Sequence, residues 1–421
     1  MGTYHPGHLL GKARPAAGGL GAAPGGGHVP RAPRGVLTSG PVRDSAVDPP
    51  LKVAFLQASL EVGGAERLVQ DIMAGLTRHS IESLALNLYG PGAVGQQLEA
   101  SGHDVVSGLA RGRLDPLTGA RLARACREQG IRVVYVVDSA LPLFWAGMAR
   151  RWSGWPRLVL GFHSTGKGED ALQHALANAA ALPVADRFVA LAPSHRDWLA
   201  LRFHLDPGRF AVIPNGVDTG RFRPAADRAA ARRALGWPDD AVIVSIVAGL
   251  RPEKNHALFL RAAAALAPHY PQARFMVVGD GSERAALERE RDSLGLGEKV
   301  RFLGTRQDTP EIQRASDVVV LTSHPVVETF PVSLVEALAS GTPVVSTDVG
   351  SIRDVVRDGV TGLIVPAGDE AAFGAALGRL LEDGALRARM GAAARDDAVA
   401  RFGREDMIAA YAKLFREVAA G

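Results

Sequence analysis

The 421-residue chain contains a single cysteine, Cys126, so no disulfide can form within it. A fold of this size without disulfides fits a reducing compartment. No stretch reaches the about 18 uninterrupted apolar residues that indicate a membrane-spanning helix, and the N-terminus has no apolar core typical of a signal peptide. We therefore expect a cytoplasmic protein. Peripheral association with the inner face of a membrane, through basic patches, stays open.

Motifs of several functional classes are also missing. There is no Asp-x-Asp pair to hold a metal–diphosphate complex, no His-Glu-x-x-His or Cys pair for zinc, and no Gly-x-Ser-x-Gly elbow for a serine nucleophile. Aromatic residues make up 6% of the chain, and three of its four net positive charges lie in residues 1–50. The rest is nearly neutral, without the basic face of a nucleic-acid-binding protein. We expect no metal site and no nucleic-acid partner.

Residues 1–50 are rich in Gly, Pro and Ala, with little apolar surface to bury, and are predicted to be disordered. From Leu51 onward, short apolar runs alternate with helix-like stretches, which is typical of doubly wound parallel sheets. The runs fall into two series, and each predicts one Rossmann-like domain. The first series of predicted strands is 51–56, 83–88, 133–137, 158–162 and 188–191; the second is 242–247, 274–278, 300–303, 318–321 and 343–346.

The boundary between the two series is expected near residues 218–237, a stretch with proline, an Arg/Ala run and Gly-Trp-Pro. The predicted organisation is a tail at 1–50, a first domain at 51–218, a second domain at 219–404 and a terminal helix at 405–421. With two domains of about 150–200 residues each, both are long enough to bury a core of their own.

The most informative motif is the run E-T-F-P-V-S-L-V-E, from Glu328 to Glu336, followed by GTPVVSTDVG. Pro331 suits the start of a helix, where the free N–H groups of the first turn can bind an anion. Glu336 then lies on that helix, where its carboxylate can accept hydrogen bonds from sugar hydroxyls. Two glutamates at this spacing alone would more often be solvated residues beside a helix, so the interpretation depends on the flanking sequence.

Two further motifs follow predicted strands of the second series. In VAGLRPEKNH, Arg251 and Lys254 come after a strand end, where ligands bind in open parallel sheets, and both could neutralise a diphosphate. In VVGDGSER, Gly279 and Gly281 match the first two glycines of the dinucleotide fingerprint, but the third glycine is missing. Either motif alone would be equally compatible with a structural loop.

Three motifs lie in the first domain or at its end. EVGGAER offers Gly64 for close backbone approach to a ligand, although a simple tight turn explains it equally well. GFHSTGK matches the spacing of a phosphate-binding loop, but Gly168 stands where that loop needs Ser or Thr for magnesium. Within this run His163 sits at a strand end, where its ring could face a cleft. VIPNGVD marks a turn without obvious chemistry.

Together these ordered motifs resemble family four of the glycosyltransferases, a large retaining group with the GT-B fold. The resemblance covers nearly all of residues 51–421 and is most specific in five runs. It implies two Rossmann-like domains facing across a cleft, with the donor bound by the second domain and the acceptor mainly by the first. The five runs are VIPNGVDTGRF, LRPEKNH, FMVVGDGSER, RFLGTRQDTPEI and ETFPVSLVEALASGTPVVSTDVGSIRDVV.

In the second domain, the resemblance implies that Glu336 holds the ribose of a nucleotide-sugar and that Lys254 grips its diphosphate. Glu328 would contact the donor sugar, beside the backbone of Thr329 and Phe330. The donor would be a UDP- or GDP-sugar, used as a co-substrate, with no cofactor and no metal.

Elsewhere, the resemblance implies that the segment from Arg301 to Leu303 meets the base through backbone groups. Gly64 would bring N–H groups to the phosphates from the other domain, and His163 matches a cleft histidine that touches the donor sugar. The terminal helix would cross back onto the first domain.

One position departs from the family pattern. The family has an arginine five residues before its lysine, and this chain has Gly249 there. A guanidinium is a bidentate phosphate clamp, so its loss matters unless Arg251, two residues on, replaces it.

The resemblance implies transfer of a hexosyl-type sugar to a glycan, lipid-linked or small-molecule acceptor with retention at the anomeric carbon. Three alternatives stay open. A catalytically weak or silent GT-B protein would bind nucleotide without turnover. A nucleotide-sugar epimerase would need its own histidine and acidic residues to line the cleft, and the family-four motifs argue against it. A P-loop NTPase would show magnesium-dependent ATP binding, and Lys167→Ala would abolish that binding.

Overall fold

The computed structural model describes residues 50–59, 64–113, 115–137, 139–163, 171–325 and 328–421, with the side chains of 64–67 and 171 excepted. The tail predicted to be disordered, apart from Pro50, lies outside the described residues, as does the 164–168 part of the P-loop-like run with Lys167. Fifteen α-helices and thirteen strands are found within these ranges. Among the described helices, none is both long enough and apolar enough to cross a membrane.

The first sheet has seven parallel strands in the order β3-β2-β1-β4-β5-β6-β7. We call this sheet with helices α1–α6 the N-lobe. Its strands are β1 (Leu51–Gln57), β2 (Ile81–Asn87), β3 (Asp104–Val106), β4 (Val133–Val137), β5 (Arg157–Gly161), β6 (Arg187–Ala190) and β7 (Phe210–Val212). Its helices are α1 (Gly64–Leu76), α2 (Gly92–Ala100), α3 (Thr118–Glu128), α4 (Ala140–Ser153), α5 (Ala171–Ala181) and α6 (Pro193–Phe203).

The second sheet has six parallel strands in the order β10-β9-β8-β11-β12-β13. We call this sheet with helices α7–α14 the C-lobe. Its strands are β8 (Val242–Val247), β9 (Ala273–Val278), β10 (Val300–Gly304), β11 (Val318–Leu321), β12 (Val344–Thr347) and β13 (Gly362–Val365). Its helices are α7 (Arg228–Ala234), α8 (His256–Leu266), α9 (Arg284–Ser293), α10 (Thr309–Ala315), α11 (Val332–Ala339), α12 (Ile352–Val355), α13 (Glu370–Glu382) and α14 (Gly384–Arg401).

The fold class expected from the apolar runs, two doubly wound parallel-sheet units, is thereby confirmed. Every predicted strand is present to within two residues at either end. Strands β3, β7 and β13 were not predicted; they are three or four residues long and lie at sheet edges. Because edge strands bury less apolar surface, their runs are too short and too mixed to stand out.

In each sheet the strand order reverses between two neighbouring strands, β1 and β4 in the N-lobe and β8 and β11 in the C-lobe. Loops that leave such a pair diverge to opposite faces, and the crevice between them is where open parallel sheets bind ligands. The motifs around Lys254 and Glu328 follow β8 and β11, so both lie at the reversal point of the C-lobe.

The last helix, α15 (Arg404–Ala420), packs on the N-lobe although it follows the C-lobe in sequence. Its buried face shares a core with Val53 and Phe55 of β1 and with α1. Directly before α15 begins, Gly403 pairs with Val217 in a parallel β-bridge. A β-carbon on Gly216 would lie 2.7 Å from the Arg404 Cα, so this glycine of the VIPNGVD run permits the close approach of two chain segments.

Phe415 of α15 is fully buried, and its ring lies edge-on to Phe55 at 6.0 Å between centroids. We expect Phe415→Ala to lower the free energy of unfolding by about 3–5 kcal/mol, because it opens a cavity in this core. Lys413→Ala, on the same helix but with a side chain that is 78% exposed, should change it by about 0.5 kcal/mol or less. Urea denaturation checks both, and equal small effects would mean that α15 is not docked on the N-lobe.

Candidate active site

A buried ion pair links the two loops at the reversal point of the C-lobe. Lys254 Nζ lies 2.5 Å from Glu328 Oε1, and the two side chains are 14% and 6% exposed. Ser323 Oγ donates to the same carboxylate oxygen at 2.5 Å, and Thr322 Oγ1 donates to the Lys254 carbonyl at 2.9 Å. Thr322 and Ser323 directly follow β11 and belong to none of the motifs recognised in the sequence. They fix both charged groups at one place.

The backbone of Glu328 is held by the turn after β12. The Ser351 N–H donates to the Glu328 carbonyl at 3.0 Å, and a β-carbon on Gly350 would lie 1.8 Å from that oxygen. Gly350 also has a φ of +54°, in the left-handed region that favours glycine. Any side chain at this position would therefore push Glu328 away from Lys254. Gly350 belongs to the run after Glu336, but its role depends on contacts that no sequence spacing reveals.

The glycine turn after β9 packs on the loop after β8. β-Carbons on Gly279 and Gly281 would lie 2.0 Å from the Ala248 carbonyl and 2.4 Å from the Leu250 carbonyl. Leu250 N–H in turn donates to the Asp280 carbonyl at 3.0 Å. The two glycines thus have a structural task, which is to let two loops at the edge of the sheet touch through their backbones.

Arg251 lies beside the position where the family arginine is absent. A β-carbon on Gly249 would meet Arg251 Nε at 3.5 Å, an ordinary contact distance. The Arg251 side chain is 60% exposed and pairs with Glu253 at 3.3 Å. The Arg251 guanidinium therefore lies next to the region that a side chain on residue 249 would enter.

Hydrogen bonds also join the two lobes across the cleft, next to the Glu328 loop. Thr329 Oγ1 donates to the His163 carbonyl at 3.0 Å, and Ser194 of α6 bonds Ser351 and Asp354 of the C-lobe. His163 follows β5, and its Nε2 lies 2.6 Å from the Tyr135 hydroxyl. Burial, together with nearby His195, lowers the pKa of His163 to about 3, so its ring is neutral.

A cavity of about 220 Å³ lies between the start of α6 and the Glu328 loop. His195 lines it from the N-lobe and is buried, which lowers its pKa to about 4. The Leu191 N–H donates to His195 Nδ1 at 3.3 Å, so the proton of the neutral ring sits on Nε2. The cavity residues are Ser194, His195, Trp198, Glu328, Thr329, Gly350 and Ser351.

The remaining predicted site residues of the C-lobe differ in how deeply they are buried and in the groups that they contact. Glu336 is half-buried on α11, one turn before its end. Phe330 is buried, with its ring against that of Phe402. The Arg301 guanidinium stacks on Trp237, 3.6 Å from the ring centroid, and bonds the Gly236 carbonyl. Leu303 packs in the same small cluster.

For the N-lobe loop, Gly64 opens α1, while residues 61–63 lie outside the described part of the chain. The structure therefore brings together Lys254 and Glu328 by direct contact, and Thr329 and His163 across the cleft. The Arg301 side chain contacts a different cluster, and a role for the backbone of its segment in binding a base stays a prediction.

Solved structures with the same architecture define the class. Anabaena HepE in complex with UDP superposes with a TM-score of 0.77 at 24% identity, covering 87% of this chain and all of that one. Sucrose-phosphate synthase from Thermosynechococcus elongatus gives a TM-score of 0.71 at 22% identity, covering 88% and 99%. With its two facing parallel sheets and its returning C-terminal helix, the chain has the GT-B fold.

Matches to two family models show which family of glycosyltransferases the chain belongs to. The model described as Glycosyltransferase Family 4 matches residues 62–221, and that described as Glycosyl transferases group 1 matches residues 227–397, which together span more than half of the chain. The chain belongs to family four of the glycosyltransferases, as its motifs predicted.

Curated relatives are similar over a shorter length. D-inositol 3-phosphate glycosyltransferase of Streptomyces scabiei is 37% identical over 243 residues, which is 55% of this chain and 54% of that protein. The protein of the same name from Salinispora arenicola is 39% identical over 227 residues, half of each chain. The chain thus spans about half the length of the curated relatives it matches.

We expect Lys254→Met to lower the free energy of unfolding by about 3–5 kcal/mol, because Glu328 would remain buried as an unpaired charge. The double variant Lys254→Met/Glu328→Gln removes that charge and should recover most of the loss. Arg261→Met is the matched control: it breaks an ion pair with Glu370 whose side chains are 42% and 49% exposed, worth about 1 kcal/mol or less. Urea denaturation compares the three, and equal costs for the two single variants would contradict the buried pair.

Proposed function

We propose that this protein is a glycosyltransferase that transfers a hexosyl-type sugar from a nucleoside-diphosphate sugar to an acceptor with retention at the anomeric carbon. The observation that carries the proposal is the Lys254–Glu328 pair at the reversal point of the C-lobe, where the neighbouring Thr329 donates to the His163 backbone carbonyl. The pair combines a cation for a diphosphate with a carboxylate for sugar hydroxyls at one place.

The donor is proposed from two supports. Glu336 on α11 is suited to accept hydrogen bonds from ribose hydroxyls, and the fold neighbour HepE was crystallised with UDP and with UDP-glucose. A UDP-sugar is therefore the first donor to test and a GDP-sugar the second. The acceptor is proposed as a glycan, a lipid-linked molecule or a small polyol. D-inositol 3-phosphate, for which the curated relatives are named, belongs among the candidates.

In the proposed mechanism, negative charge grows on the diphosphate as the bond to the anomeric carbon breaks. Lys254, Arg251 and the N–H groups at the start of α11 would stabilise that charge, and preorganised donors of this kind usually contribute most to lowering the barrier. Glu328 would hold hydroxyls of the sugar. The acceptor oxygen would bond to the anomeric carbon on the face from which the nucleoside diphosphate leaves, which preserves the anomeric configuration. The departing phosphate oxygen would take the proton of the acceptor hydroxyl. No metal ion takes part in this scheme, and full activity in EDTA would support that.

Gly249 favours a second candidate function, in which a GT-B protein binds a nucleotide-sugar with weak or no turnover. Without the family guanidinium at this position, one bidentate phosphate contact is lost. The proximity of Arg251 Nε to the Gly249 position supports the active alternative, because a guanidinium from residue 251 can then reach the same side of the loop.

The donor site is tested by titration calorimetry with UDP and GDP. We expect Glu336→Ala to weaken binding of the preferred nucleotide by about 1.5–3 kcal/mol, because a charged carboxylate loses its bonds to ribose. Glu382→Ala, an exposed glutamate on α13, should bind as the wild type does. Unchanged affinity in Glu336→Ala would show that Glu336 does not bind the ribose. If neither nucleotide binds, the proposed function is wrong.

The role of Arg251 is tested by moving the guanidinium group from residue 251 to residue 249. We expect Arg251→Met to reduce kcat by roughly 10²–10³, which corresponds to one lost transition-state contact of about 2.7–4 kcal/mol. Because a β-carbon at residue 249 has only ordinary contacts, Gly249→Arg/Arg251→Met should restore activity. Glu253→Gln removes the exposed ion pair of Arg251 and serves as control. Wild-type turnover in Arg251→Met would show that another cation stabilises the leaving group.

A further inference from the structure

Helix α5 of the N-lobe carries apolar side chains on its outer face. The two leucines of this face, Leu172 and Leu176, are 67% and 55% exposed. A surface helix of a globular protein normally turns its polar residues to water. On α5 the polar residues Gln173, His174 and Asn178 are only half-exposed, whereas the exposed side chains described on this helix are all apolar, at positions i, i+3, i+4 and i+7: Leu172, Ala175, Leu176 and Ala179.

Two further apolar side chains extend this exposed surface. Trp152, near the end of α4, is 58% exposed, and Leu117, directly before α3, is 59% exposed. Contacts join the segments that carry them. The Arg151 guanidinium donates to the Ala179 carbonyl of α5, and a β-carbon on Gly119 of α3 would lie 3.0 Å from the Trp152 ring. We call the surface formed by these side chains the apolar patch: Leu117, Trp152, Leu172 and Leu176.

The same part of the N-lobe has an excess of arginine. Residues 111–128, 140–154 and 171–181, which contain α3, α4, α5 and the loop before α3, hold seven arginines and two acidic residues, a net charge of +5. This is more than the +4 of the whole chain. Exposed Arg113 donates to Gln173 of α5 at 2.6 Å, so positive charge lies directly beside the two leucines. The small net charge of residues 51–421 thus conceals a local positive surface.

Charge and apolar surface together select the partner that covers this patch. In a symmetric dimer the patch would face its own copy, which would bring two positive surfaces into contact. A nucleic acid would neutralise the arginines but leave the leucines and Trp152 without apolar contacts. An anionic membrane surface matches both features, because leucine and tryptophan enter the boundary of the acyl chains while arginines contact the headgroups.

We propose that the apolar patch and the arginines around it bind the N-lobe to the surface of an anionic membrane. Helix α5 lies in the plane of the interface, with Leu172 and Leu176 directed toward the acyl chains. Arg111 and Arg113, both exposed in the loop before α3, contact the phosphate groups of the lipids. This arrangement needs no membrane-spanning helix.

The topology of the sheet gives this surface a place relative to the cleft. Because β5 and β6 are parallel neighbours, α5 runs back along the sheet from the edge at which His163 follows β5. The first turn of α5, with Leu172, therefore lies toward the cleft edge of the N-lobe. That a lipid-linked acceptor reaches the cleft from the membrane rests on the proposed function, whereas binding to the membrane does not.

The test is flotation of the full chain with vesicles of phosphatidylglycerol and phosphatidylcholine in equal parts, compared with phosphatidylcholine alone. We expect stronger binding to the mixed vesicles, and a loss of the difference at high salt, which screens the headgroup charge. Leu172→Ser/Leu176→Ser should weaken binding to the mixed vesicles by about tenfold or more, because less apolar surface leaves water. Val399→Ser, at an exposed apolar residue on α14 of the C-lobe, is the control and should bind as the wild type does.

A second pair of variants tests the charge. Arg111→Gln/Arg113→Gln should weaken binding to the mixed vesicles by roughly 10–30-fold and leave binding to neutral vesicles unchanged. Arg379→Gln/Arg389→Gln removes two exposed arginines of the C-lobe and should have no effect. All variants should keep nearly the wild-type Tm, because the changed side chains are exposed.

Three results would overturn the proposal. The first is a wild type that does not bind the mixed vesicles. The second is undiminished binding by Leu172→Ser/Leu176→Ser, which would assign the binding to another part of the chain, such as the basic tail. The third is a wild-type dimer that the same change converts to a monomer in analytical ultracentrifugation, since a second copy would then cover the patch. If the vesicles bind as expected but no nucleotide does, the proposed function fails and the membrane site stands.

Discussion

The buried pair of Lys254 and Glu328 is the constraint on which the candidate site depends. Two opposite charges that are almost fully withdrawn from water must stay in contact, since separating them would leave each without solvation. The loops after β8 and β11 are therefore tied together. Ser323 adds a hydrogen bond to the carboxylate, and Gly350 supplies the room in which the Glu328 backbone sits.

Around this pair, loops of the C-lobe touch through close contacts between their backbones. Gly279 and Gly281 let the turn after β9 lie on the loop after β8, so that three loops of the C-lobe meet at one edge of its sheet. Thr329, adjacent to Glu328, then reaches the carbonyl of His163 in the N-lobe. A ligand in this cleft would meet groups whose positions were set before it arrived, which is the arrangement that electrostatic catalysis requires.

The N-lobe side is organised by an aromatic core. Tyr135 packs with Phe55, Tyr411 and Phe415 and presents its hydroxyl to His163. Because Tyr411 and Phe415 belong to α15, a helix that follows the whole C-lobe in sequence contributes to the N-lobe side of the cleft. Removing or undocking this helix would disturb the cleft histidine as well as the core.

The two series of strands could be predicted from apolar runs, because buried parallel strands are continuous apolar segments whatever surrounds them. The positions of Lys254, Glu328 and Glu336, after strands or on a helix, could be predicted as well, since they fall within contiguous motifs, and the family followed from the order of those motifs. Their roles in binding a donor stay a proposal. The folded chain was needed to show that Lys254 contacts Glu328, that Gly350 leaves room for the Glu328 backbone, and that the Tyr411 hydroxyl bonds that of Tyr135. Three contacts, His163 with Tyr135, Lys254 with Glu328 and Tyr135 with Tyr411, join residues 28, 74 and 276 positions apart along the chain. Periodicity along one segment carries no information about which distant segment packs against it.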